Sequence, residues 1–151
     1  MPGSATHLWL ILWKAYEALN QHAMRHIQSL GIGQSDFAIL EALLHKGPLP
    51  VNTIGGLVHL ASGSITAGID RLEAKGLVER RNDPADRRAR IVHLTEEGRK
   101  LISCAFADHE AAMDRACAGL DEEERSQAAA LLKKLGLYAQ RALGNAATSP
   151  E

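Results

Sequence analysis

Apolar positions recur along most of the chain at the spacing of α-helices. Leu8, Leu12, Ala15, Tyr16, Leu19, Ala23, Ile27 and Leu30 fall three and four residues apart, one stripe on a helix predicted over 5–30 and ended by Gly31. Phe37, Leu40, Leu43 and Leu44 mark a second helix over 35–45, with Ser35 as its expected cap and Gly47-Pro48 as its stop. A short third helix is expected over 51–60. A fourth covers 62–75 and is closed by Gly76. The pattern then changes: residues 77–81, a turn over 82–86 and residues 90–94 read as a β-hairpin. Thr95 is placed to cap a fifth helix reaching about residue 120. Asp121 and Glu124 open a sixth with a capping-box pattern. Only the tail after Gly144 reads as unstructured.

Two short helices followed by a hairpin describe a winged helix-turn-helix. The expected fold class is therefore mainly α: a winged helix-turn-helix core over 35–95, with a small β-hairpin wing, flanked by long helices at 6–30 and 96–146. The whole chain, 1–151, reads as a single domain, as its length suggests. A helix over 5–30 is ~39 Å long at 1.5 Å per residue. A core of roughly 60 residues cannot cover its stripe together with Leu101, Ile102, Ala105, Phe106, Ala112, Met113, Ala116, Leu131, Leu132, Leu135, Tyr138 and Ala142. The simplest cover is a second copy of the chain, so a homodimer is expected.

Net charge is −1, which does not announce a polyanionic partner, but its distribution does. Of 17 lysines and arginines, seven lie between residues 71 and 90. Arg80, Arg81, Arg87, Arg88 and Arg90 crowd the hairpin, where no packed core explains them and a DNA backbone or minor groove does. In the fourth helix Ile65, Ile69 and Leu72 point inward. The other face carries Ser62, Gly63, Ser64, Thr66, Ala67, Gly68, Arg71 and Lys75: small residues for close approach to a major groove, hydroxyls for base edges, cations for phosphates. Gly68, which costs about 1 kcal/mol of helix propensity, is expected to meet a packing or an approach requirement. Asp83 is expected to shape the turn. Asp86 can serve as a turn residue too, and is in addition expected to aim Arg88 through a bidentate pair.

These residues carry a family resemblance. Ile65-Thr66-Ala67-Gly68-Ile69-Asp70-Arg71-Leu72-Glu73-Ala74-Lys75-Gly76-Leu77-Val78-Glu79-Arg80, then Asp86-Arg87-Arg88, then Leu94-Thr95-Glu96-Glu97-Gly98, resemble MarR-type transcriptional regulators, and helix order agrees over nearly the whole chain. The resemblance implies a homodimer on a pseudo-palindromic operator, usually a repressor, released by a small molecule or by cysteine oxidation. It implies that the helix from Ser62 enters the major groove and that Arg88, oriented by Asp86, enters the minor groove. Ala61 departs from the family's polar capping residue, and Ser62 is its expected substitute.

Other chemistry weighs less. Trp9, Trp13, His22 and His26 on the first helix are the candidates to hold a small apolar or aromatic anionic effector. His22 and His26, four apart, with His45 and His109, suggest a metal-sensing alternative, but no cysteine or carboxylate pattern firms it up, so no metal site and no cofactor are expected. Cys104 and Cys117 read as small buried hydrophobes of a reducing cytoplasm, and the first helix lacks the cysteine of the family's peroxide sensors. A redox sensor of the same fold and a helical interaction module without DNA binding are the remaining competitors. Catalytic motifs are missing, so no enzyme is expected. No stretch is long and apolar enough for a membrane.

Overall fold

In the computed structural model of the chain, which describes residues 3–146, the elements run α1 Ala5–Ser29, α2 Gln34–Lys46, β1 Leu49–Pro50, α3 Val51–Leu57, α4 Ser62–Ala74, β2 Val78–Asn82, β3 Arg90–Leu94, α5 Glu96–Ala116 and α6 Glu122–Ala146. They form two compact units, one up to Met113 and one from Asp114. Among the described residues no helix is long and apolar enough to cross a membrane.

The core of the first unit gathers the apolar faces read from the periodicity. Ile39, Leu40 and Leu43 of α2, Ile54 of α3, Ile65, Ile69 and Leu72 of α4, Val92 of β3 and Ile102 of α5 are almost fully buried. Each such side chain is worth about 1.5–3 kcal/mol relative to exposure, so this cluster is what holds the helix-turn-helix to the hairpin. The sheet has the order β1-β3-β2 and is antiparallel throughout, with Leu49 opposite Val92 and Val78 opposite Leu94.

The hairpin is tied to α5 by Thr95. Its hydroxyl donates to the Gly76 carbonyl at 2.6 Å and accepts the Gly98 N–H at 3.0 Å, while its own N–H donates to Leu77 O at 3.1 Å. Gly76 has φ +71°, the left-handed conformation that lets α4 end and β2 begin within three residues. Gly98 has no room for a side chain: a Cβ there would sit 1.8 Å from Leu77 O. The Leu-Thr-x-x-Gly sequence is thus a joint at which the first turn of α5 lies directly on the backbone entering the wing.

Several local expectations are corrected. Gly33, not Ser35, is the N-cap of α2, and no side chain caps it. The third helix ends at Leu57 rather than residue 60, in a turn where His59 takes φ +55°. Residues 49–50 form a third strand, which two residues beside a proline give no periodicity to reveal. The fifth helix stops at Ala116, short of residue 120. Residues 145–146 continue α6, and the rest of the predicted tail lies outside the described residues. The capping box is as read: Asp121 Oδ1 accepts the Glu124 N–H at 2.9 Å and Glu124 Oε2 accepts the Asp121 N–H at 3.0 Å.

Both ends leave apolar side chains in solvent. On α1, Leu8, Trp9, Ile11, Trp13 and Tyr16 are exposed; on α6, Leu131, Leu132, Leu137, Tyr138 and Leu143 are.

Candidate nucleic-acid interface

α4 is set into the first unit by Ile65, Ile69 and Leu72, so the rotation of its outward face is fixed. Ser62, Gly63, Ser64, Thr66, Ala67, Arg71 and Lys75 are all exposed, as the periodicity predicts. Gly68 is not. It is buried against α2, where a Cβ would come within 2.8 Å of the Ile39 δ-methyl and 3.5 Å of Asp36 Oδ1. Its smallness therefore serves helix packing rather than groove approach. Ala61 is the N-cap, with no side-chain cap, so Ser62 does not substitute; Ser62 O instead accepts the Thr66 hydroxyl at 2.9 Å. The Thr66 oxygen keeps its lone pairs for an outside donor.

Arg71 is engaged within the fold. Its Nη2 lies 2.7 Å and its Nε 3.3 Å from the two oxygens of Asp36, the one charged residue buried among the described residues. The hydrogen bond, and then the charge of Asp36, hold the guanidinium's pKa above its ordinary value. Lys75 Nζ donates to Gly31 O at 3.1 Å. Both expected phosphate contacts thus also brace α4 from its far end. The sequence offered no signal for the first pairing, because its partners are 35 residues apart.

The wing divides the arginine crowd in two. Arg80 bonds Asp70 at 2.6 Å and Glu73 at 2.5 Å, and Arg81 pairs with Glu79. Burial lowers the pKa of Arg80, yet the two carboxylates outweigh it and leave it raised. Arg87, Arg88 and Arg90 are exposed, and no described carboxylate pairs with them. The unneutralised charge therefore lies at the tip. Asp83 Oδ1 caps the Ala85 N–H at 2.9 Å, as expected of a turn residue. The expected bidentate pair between Asp86 and Arg88 is not formed. Asp86 Oδ1 accepts the Arg88 backbone N–H at 2.9 Å, so it shapes the turn that carries Arg88 and leaves the guanidinium free.

Between the start of α4 and the wing lies an open groove of about 440 Å³, lined by Pro50, Asn52, Ser62, Thr66, Arg88 and Arg90 among others. Hydroxyls and an amide on one wall face guanidinium groups on the other. That arrangement suits a phosphodiester strand and offers no nucleophile with an activating base.

The sequence's effector candidates do not share one environment. Trp9 and Trp13 are exposed, and Trp13 lines a shallow hollow with Lys14, Glu17 and Gln21 of its own helix. His22 is exposed. His26 alone enters a seam, with Nε2 3.2 Å from Ala105 O and its ring 5.8 Å from that of His109, which in turn stacks near Phe37 at 5.1 Å. His45 meets Phe106 edge-on instead of joining them. Burial, then the nearby His26, push the His109 pKa below the ordinary imidazole value, against the pull of Glu41 and Glu110. Its Nδ1 is buried without a partner. Among the described residues no group of three or more His, Cys, Asp and Glu is placed to hold a metal ion. Cys104 is exposed, contrary to its reading as a buried hydrophobe, and Cys117 is half-buried just past the end of α5.

The sequence profile of the MarR family matches residues 32–89, from the start of α2 to the wing tip. The chain is 40% identical over 141 residues to the HTH-type transcriptional regulator MhqR of Bacillus subtilis, covering 93% of this chain and 97% of that one. The chain belongs to the MarR family. Among solved structures, it is similar to Bordetella bronchiseptica BpsR, described for regulation of its DNA binding by 6-hydroxynicotinic acid, at TM-score 0.76 and 26% identity, covering 86% of this chain and 98% of that one. A mutant Escherichia coli MarR complexed with operator DNA has the same fold at TM-score 0.76 and 22% identity, covering 85% and 92%. This MarR-family chain is accordingly a winged-helix, DNA-binding transcriptional regulator and not an enzyme.

Proposed function

We propose that the chain is a ligand-responsive repressor that binds a pseudo-palindromic operator as a homodimer. The observation that carries the reading is the pairing of an exposed, polar start of α4 with Arg88 and Arg90 across one groove, beside the exposed Arg87, three arginines that no described carboxylate pairs with. Ser62, Gly63, Ser64, Thr66 and Ala67 meet base edges in the major groove. Arg88 and its neighbours Arg87 and Arg90 meet the adjacent backbone and minor groove. Arg71 and Lys75, already braced within the fold, add positive charge beside the phosphates.

The homodimer rests on the uncovered large apolar side chains of α1 and α6, which a second copy of the chain would cover. The effector is a small aromatic acid: the relative BpsR responds to one, and the seam where His26 and His109 lie beside Phe37 offers ring faces and ring nitrogens to a flat, polar ligand. Such a ligand must prefer an arrangement of the two reading heads that does not fit DNA, since equal affinity for both shifts nothing.

Titration with duplex DNA over a range of salt concentrations, with light scattering on the same samples, tests the reading. A dimer whose affinity falls steeply with salt supports it; a monomer, or affinity indifferent to salt, rejects it.

A further inference from the structure

Asp70 and Glu73 lie on the exposed side of the helix that reads DNA, where carboxylates repel phosphates. Their position calls for a compensating role, and Arg80 supplies one. Its side chain is only 20% exposed and spans both: Nη2 is 2.6 Å from Asp70 Oδ1, Nη1 is 2.5 Å from Glu73 Oε2, and its backbone N–H donates to Glu73 Oε1 at 3.1 Å. Three bonds thus join the middle of β2 to two successive positions on one face of α4.

Their place along the strand matters. Val78 is buried and anchors the base of the wing, whereas Arg81 and Asn82, beyond Arg80, are exposed. Arg80 is therefore the last point at which β2 is held to α4 before the wing projects. From Arg80 to the turn is a lever of ~10 Å at about 3.3 Å per residue. A pivot of about 5° at its base moves the tip by roughly 1 Å, enough to spoil a contact that tolerates about half that. On the other edge of the sheet β1 braces β3 as far as Ile91, which stands opposite Arg81, so the Arg80 tie is what joins β2 directly to α4 and sets the angle between helix and wing.

We propose that Arg80, clamped by Asp70 and Glu73, is a positioning residue that holds the wing at a fixed angle to α4, and that its guanidinium does not contact DNA. The proposal rests on the DNA-binding reading above.

The test starts from a duplex enriched by the wild-type protein from a random 30-bp library (a length of about three DNA turns). Affinities for it and for a scrambled duplex of the same length are measured for wild type, Asp70→Asn/Glu73→Gln, Arg80→Lys and Arg80→Ala. Circular dichroism establishes that each is folded. Removing two negative charges beside DNA tightens binding to every duplex if only electrostatics acts. The strut predicts the opposite for the enriched duplex: a loss of about five- to 150-fold, the worth of one groove contact, with affinity for the scrambled duplex equal or higher and the salt slope unchanged. Arg80→Lys keeps the charge but cannot bridge both carboxylates in the same fork, and falls between. In the DNA-free protein, exchange of the Arg80 amide proton accelerates in Asp70→Asn/Glu73→Gln.

Equal or tighter binding of the enriched duplex by Asp70→Asn/Glu73→Gln overturns the proposal. So does Arg80→Ala weakening both duplexes alike with a salt slope lower by about one, the mark of a lost phosphate contact. A wild type that enriches no duplex overturns the DNA-binding reading instead, while the amide-exchange result still judges the strut.

Discussion

Gly98→Ala is the substitution for which helix propensity and packing give opposite answers. Gly98 is the third residue of α5, and Ala in place of Gly inside a helix is favoured by about 1 kcal/mol. The new Cβ, however, would lie 1.8 Å from Leu77 O, 2.8 Å from Leu77 C and 3.1 Å from Leu77 Cα. All three are backbone atoms, so no rotamer change relieves the clash. Separation to normal contact requires α5 and the Leu77 peptide to part by more than 1 Å (roughly the gap to a ~3.3 Å carbon–oxygen contact). Overpacking of this kind costs about 1–3 kcal/mol. The same movement breaks the bonds from Thr95 to Gly76 O and Leu77 O, each worth about 1 kcal/mol net. Setting about 3–5 kcal/mol of loss against about 1 of gain, Gly98→Ala destabilises the protein by roughly 2–4 kcal/mol. Urea unfolding followed by circular dichroism reads this directly. Gly56→Ala in α3, where nothing lies within 4 Å of the added carbon, is the control and leaves stability equal or up to about 1 kcal/mol higher. A Gly98→Ala protein as stable as wild type would show that the joint between α5 and the wing is not as close as described.

Three other substitutions and conditions follow from the geometry. Arg88→Ala lowers affinity for the enriched duplex by about 1–3 kcal/mol without changing the unfolding midpoint, because its guanidinium has no partner in the fold; unchanged binding in an anisotropy titration rejects the groove role. His59→Gly raises stability by roughly 0.5–1 kcal/mol, the relief of a left-handed residue less the greater freedom of glycine when unfolded, and a lower urea midpoint contradicts it. His109, its pKa depressed in the fold mainly by burial, contributes stability that is complete above the unfolded value of about 6.5 and is lost as pH falls through the lower folded value. The urea midpoint therefore drops between about pH 7.5 and about pH 5.5 in wild type, and drops less in His109→Gln; an identical drop in both sinks the assignment.

Periodicity served well wherever an element is long or one-sided. The extent of α1, the inward face of α4, the hairpin and the Asp121–Glu124 capping box could all be read, because each is encoded by neighbours within a turn or two of chain. What escaped was set by distant partners. Asp36 reads as one more polar residue at a helix start until α4 brings Arg71 to it. Arg80 reads as part of a cationic cluster until Asp70 and Glu73 claim it, although their spacing from it, ten and seven residues, held that information. Gly68 reads as a glycine kept by packing or by groove approach, and only its neighbour Ile39 on another helix decides for packing. Both roles of Asp86, turn residue and partner of the Arg88 guanidinium, could be read, since an aspartate two residues before an arginine can bond either its backbone or its side chain, and only the backbone bond of the turn is formed. The scattered Trp9, Trp13, His22 and His26 show the same limit: one helix carries all four, but only packing decides which of them meets a neighbour.

The central claim is that two copies of this chain read DNA together, each through α4 and its wing. Enriching duplexes with the wild-type protein from a random library and sequencing them tests it most directly. The expected result is an inverted repeat with half-site centres about 10–11 bp apart, one helical turn, or a multiple of it. Enrichment of a single asymmetric site, or of none, would contradict it.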